Sequence, residues 1–79
     1  MDNNKILYEI FSNSLNIALG DVNEELTYQS IPEWDSVAHM VLVAGLEEGY
    51  DIMLDTDDII DMNSVENARD ILKKYSITF

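Results

Sequence analysis

Apolar residues recur at three- and four-residue steps through most of this chain, a periodicity that restricts it to helices packed on one another. Ile6, Leu7, Ile10, Phe11, Leu15 and Ala18 mark the first such stretch. They predict a helix from about Asn3 to Leu19, with Gly20 as its stop. From Asp21 to Asp35 the pattern breaks, and Pro32 obstructs a helix through the middle of that connection. Leu26, Ile31 and Trp34 are expected to pin the connection to the core. A long segment without regular structure in a small domain is often functional. Ser36 reads as the N-cap of a second helix, with Asp35 placing negative charge beside its positive end. That helix is predicted to reach about Glu48 and to end at Gly49. Thr56 to Asp61 reads as a single short helix, and Asn63 with Glu66 as a capping box. The box opens a last helix through Val65, Ala68, Ile71 and Leu72 to Tyr75, with Lys73 and Lys74 at its negative end and Ile77 and Phe79 folding back. The expected architecture is all-α, one domain over residues 1–79: a four-helix bundle with a long loop between helices 1 and 2 and a short third helix.

Composition narrows the classes of function. A chain of 79 residues holds one small core, and without cysteine neither disulfides nor thiolate metal sites can staple it. No apolar run approaches the roughly 20 residues of a membrane span, and the first residues lack the basic and apolar pattern of a signal peptide. The expected location is cytoplasmic. Sixteen acids against Lys5, Arg69, Lys73 and Lys74 give a net charge of −12. Such a field repels nucleic acid and anionic membranes and favours basic protein partners.

The second helix is apolar nearly all round, although one stripe is all that a bundle buries. With Leu42, Val43 and Leu46 pointing inward, Val37, Met40, Val41 and Ala44 must face solvent or a partner. They would form an apolar docking strip that begins beside Ser36 and runs toward Glu47 and Glu48; the alternative is that this helix is the central, most buried one.

Glu33-Trp34-Asp35-Ser36-Val37, then Leu46-Glu47-Glu48-Gly49-Tyr50-Asp51 and Asn63-Ser64-Val65, closely resemble acyl carrier proteins. The family's Asp-Ser-Leu hallmark is here Asp-Ser-Val, and the resemblance spans the whole chain. It implies that a phosphopantetheinyl transferase attaches 4′-phosphopantetheine to the Ser36 hydroxyl. Asp35 would help to hold the magnesium ion needed during that transfer and at no other time. The cargo would ride as a thioester on the arm, presented at high effective concentration to successive enzymes. By the same resemblance, Val37, Met40, Val41, Ala44, Glu47 and Glu48, with Asp57, Asp58 and Asp61 of the short helix, meet the partners. Those partners would be acyl- or aminoacyl-loading ligases, synthases or transferases with basic or mixed basic and apolar docking patches. A monomer that is not itself an enzyme is implied. Ala38 and Val41 stand where fatty-acid carriers usually have acids, and Trp34 with His39-Met40 looks more like carriers of polyketide, peptide or surface-glycan assembly.

Other chemistries fit the residues less well. Asp35, Ser36 and His39 are the residue types of a hydrolase triad, but all sit at the start of one helix with no evident oxyanion hole. His39 is expected to be a surface or packing residue. Asp55, Asp57 and Glu66 mimic three positions of an EF-hand loop, yet Ile59 and Ile60 fall where that loop needs an oxygen ligand and a glycine. The alternative function is a small acidic protein-interaction module without a prosthetic group.

Overall fold

A computed structural model describes residues 2–79 and is all-α, with no strand among the described residues. Helix α1 spans Asn3–Leu15, α2 Ser36–Tyr50, α3 Thr56–Asp61 and α4 Val65–Lys73, and a 3-10 turn occupies Leu19–Asp21. No helix among the described residues is long and apolar enough to cross a membrane.

Helix α1 stops four residues earlier than its apolar pattern predicts. Asn16 adopts the left-handed conformation at φ 57°. Its N–H and that of Ile17 both turn back to the Ser12 carbonyl, and Ser12 Oγ donates to the Ile17 carbonyl at 2.6 Å. Asparagine tolerates this conformation and satisfies the last carbonyls, so the helix closes before Gly20 is reached.

Helix α2 runs through the glycine expected to end it. A Cβ added at Gly49 would stand 2.7 Å from Ile10 Cδ1, and one at Gly45 3.1 Å from Ser14 Oγ and 3.2 Å from Ile10 Cγ2. Both glycines therefore serve the close approach of α1, which shares its largest helix interface with α2. The stop comes at Asp51, in left-handed conformation at φ 55°. At the start of α4 the cap is shifted by one residue from expectation. Ser64 Oγ accepts from the Asn67 N–H at 2.9 Å, while Asn67 Oδ1 accepts from the Asn63 N–H at 3.1 Å.

The core gathers Leu7, Phe11 and Leu15 of α1, Leu42, Val43 and Leu46 of α2, and Val65, Ala68, Ile71 and Leu72 of α4. The α1–α2 connection adds Val22, Leu26 and Trp34. Trp34 is fully buried and meets Phe11 edge to face at 5.3 Å between ring centroids. Hiding an indole of about 200 Å² contributes roughly 5 kcal/mol. That offsets the ordering of only about four residues, so one anchor cannot hold so long a connection. Backbone pairing supplies more: Tyr28 N–H donates to Asn63 O at 2.8 Å and Val65 N–H to Leu26 O at 3.1 Å, tying the connection to the start of α4. An isolated bridge between Thr27 and Ser64 marks the same seam.

Candidate functional site

The connection delivers the chain from Trp34 directly into α2. Asp35, not Ser36, is the N-cap: its Oδ1 accepts from the Ala38 N–H at 2.8 Å. The cap is made by the carboxylate, so the hydroxyl of Ser36, exposed on the first helical residue, is left out of it.

His39 lies one turn on, half-buried, and is a packing residue with a defined tautomer. The Trp34 indole N–H, which can only donate, lies 3.0 Å from His39 Nδ1. Nδ1 is therefore the acceptor, Nε2 carries the proton, and Nε2 donates to the Ile59 carbonyl at 2.9 Å. The imidazole lies within 19° of the indole plane, edge to edge with it, and meets the Tyr28 ring edge-on at 5.3 Å. One side chain thus joins the end of the connection, α2 and α3. Both of its nitrogens are engaged, and neither is aimed at Ser36.

Beside Ser36 opens a cleft of about 370 Å³ between α2 and α3, lined by His39, Met40, Ile59, Ile60 and Met62, with Tyr28 and Asn63 at the α4 seam. Around it lies an exposed apolar surface. Val37 is 73% exposed, Met40 56%, Val41 51% and Ile60 73%, and Ala44 is exposed as well, whereas Leu42, Val43 and Leu46 are buried. Ile60 was missed in the sequence. The signal was there in Ile59-Ile60, since a six-residue helix cannot bury two adjacent apolar side chains on one face.

The acids expected to meet partners separate into two groups. Glu48, Asp57 and Asp61 are exposed. Glu47 is half-buried, and its Oε2 accepts from the Leu54 N–H at 2.9 Å, bracing the turn after α2. Asp58 is buried, receiving a hydrogen bond from the Lys74 ammonium and another from the Tyr75 hydroxyl at 2.6 Å. Those two donors, Lys74 first, hold its carboxyl below the usual range. Tyr75 Oη also accepts from the Asp55 N–H at 2.9 Å, so α3 is fastened to the end of α4. Asp55 and Asp57 lie at the start of α3 and Glu66 in the first turn of α4. Among the described residues no three acidic or histidine side chains gather to hold a metal ion.

A second polar cluster shares no residue with this cleft. Arg69 grips Glu24 through both terminal guanidinium nitrogens, with Nη2 to Oε2 at 2.7 Å, and its Nε donates to Asn4 Oδ1 at 2.7 Å. Tyr8 Oη donates to Glu24 Oε2 at 2.5 Å. The guanidinium first, then the phenol, draw the Glu24 carboxyl down to about 2.

In comparison with known proteins, no family model matches this chain, and no curated protein is significantly similar to it.

Proposed function

We propose that the chain is a carrier protein of the acyl carrier type, its helices forming the four-helix bundle of such carriers. In this reading Ser36 bears 4′-phosphopantetheine and acyl-type cargo is shuttled as a thioester between biosynthetic enzymes. The observation that carries the reading is the exposed Ser36 hydroxyl on the first residue of α2, outside the cap that Asp35 makes, with no base directed at it. Such a hydroxyl suits modification by another enzyme better than nucleophilic catalysis, which needs an oriented base. The exposure of both residues is compatible with the group: Ser36 would take the phosphodiester, and the Asp35 carboxylate beside it would assist a transferase-bound magnesium ion. The thiol of the bound group supplies the thioester chemistry that a chain without cysteine lacks. Val37, Met40, Val41, Ala44 and Ile60, with the exposed acids Glu48, Asp57 and Asp61 on the same two helices, would form the docking face, suited to partners with mixed basic and apolar patches. The same surface, without Ala38 or Val41 carrying charge, favours a specialised polyketide, peptide or glycan pathway over housekeeping fatty-acid synthesis. The location proposed is the cytoplasm.

The test is intact mass before and after incubation with coenzyme A, magnesium and a broad-specificity phosphopantetheinyl transferase, with Ser36→Ala alongside. Gain of one phosphopantetheine by the native chain alone supports the carrier. No gain by a folded sample with several transferases overturns it. The exposed apolar face also favours a second reading, an acidic interaction module that carries nothing. In that case Ser36→Ala keeps full function in the cell.

A further inference from the structure

The chain's few cations are not spread evenly. Three of its four cationic side chains, Lys5, Arg69 and Lys73, line a single cleft of about 610 Å³ formed by α1, the α1–α2 connection, α4 and Phe79. Tyr8 and Leu19, the latter 47% exposed, supply its apolar lining, and Asn4 and the Glu24 carboxylate complete the wall. Arg69 is already spent on Glu24, Asn4 and the face of the Phe79 ring at 5.8 Å, so it shapes the floor. Lys5 makes no ion pair among the described residues, and Lys73 reaches Asp70 only at 3.9 Å, both of those side chains being more than half exposed. Two available ammonium groups therefore flank a partly apolar concavity whose one carboxylate, Glu24, is held by Arg69, on a protein whose surface is otherwise strongly acidic. Volumes of several hundred Å³ with apolar walls and a few charged groups are typical of small-ligand sites.

We infer that this cleft binds an amphipathic carboxylate, its apolar body lying on Leu19, Tyr8 and Phe79 and its anionic end drawn to Lys5 and Lys73. Charge complementarity selects the anion. The net charge of −12 repels free anions at long range, but at physiological salt that field is screened within about 8 Å. Local contact with the two lysines decides. This site is independent of Ser36 and of any carrier role.

The test is a titration of the isotopically labelled full chain with octanoate, followed by amide NMR shifts, with octanol as the uncharged counterpart. Saturable shifts at Lys5, Tyr8, Leu19, Lys73 and Phe79 are expected. Binding should weaken about tenfold for octanol and for the Lys5→Gln/Lys73→Gln variant, with the environment of Trp34 unchanged as a control for folding. Equal binding of octanol and octanoate, shifts confined to Val37, Met40, Val41 and Ile60, or no saturable shifts would each overturn the proposal.

Discussion

The Trp34 indole and the His39 imidazole lie side by side and nearly coplanar, 6.1 Å between centroids, joined by a 3.0 Å hydrogen bond from Trp34 Nε1 to His39 Nδ1. Through Nε2 the same imidazole holds the Ile59 carbonyl, so the position of α3 depends on a residue of α2 that is itself oriented from the connection.

Replacing His39 with phenylalanine keeps a ring of similar size but leaves the buried Trp34 N–H and the Ile59 carbonyl without their partner. An unsatisfied buried group costs about 1–3 kcal/mol. Urea unfolding followed by Trp34 fluorescence should show a loss in that range, with faster amide exchange in α3. Unchanged stability would mean that water replaces the imidazole.

The cap at α2 separates two neighbours that sequence reasoning merged. Asp35→Ala should destabilise by about 1 kcal/mol through loss of the bond to Ala38 N–H. Ser36→Ala, at an exposed position outside the cap, should stay within about 0.5 kcal/mol of the native chain. The two midpoints in urea distinguish the assignments, and a larger effect at Ser36 would return the cap to the serine.

Acid should weaken the clamp on Glu24. Its folded-state pKa, about 2, lies below the ordinary 4.5, so the unfolded chain takes up the proton first. The stabilisation is fully present above about pH 4.5 and is lost as pH falls toward 2. Glu24 is 42% exposed, and solvent screening reduces the contribution to about 1 kcal/mol. Unfolding free energies measured from pH 6 to pH 2 should show Glu24→Gln lower at pH 6 and converging with the native chain in acid. A constant gap would show that packing, not charge, accounts for the effect.

Gly45 sets the spacing of α1 and α2. Gly45→Val would push branched methyls into Ser14 and Ile10, which already stand 3.1 and 3.2 Å from the position of the Cβ. Overpacking of this kind costs about 1–3 kcal/mol. A thermal melt no lower than that of the native chain would show that α1 can shift at little cost.

Met40 tests the docking face. Met40→Glu places charge on a side chain that is 56% exposed, so folding and modification of Ser36 should persist while turnover by a downstream partner enzyme falls. Unchanged turnover with every native partner would count against the face as an interface.

Much of this architecture was legible from local pattern. The inward set of α2, the anchors Leu26 and Trp34, and the short helix Thr56–Asp61 follow from periodicity and from which side chains avoid water. Helix ends were less legible. Gly20 and Gly49 looked like stops, yet Asn16 and Asp51 supply the left-handed residues, and Gly49 lies inside α2 where Ile10 of α1 comes near. The acids divided for a similar reason: nothing local distinguishes Asp58 from Asp57, and only the arrival of Lys74 and Tyr75 from α4 turns one of them inward.

By itself the sequence determined the helical class, the buried stripes of α2 and α4 and the serine at the head of α2, because periodicity and burial preference act over a few residues. Tertiary structure alone decided the partners of groups far apart in the chain. It joined Trp34 and His39 to Ile59, Glu24 to Arg69, and Lys5 and Lys73 to one cleft. A hydrogen bond or ion pair depends on distances of about 3 Å, and those are set only when all the helices have packed.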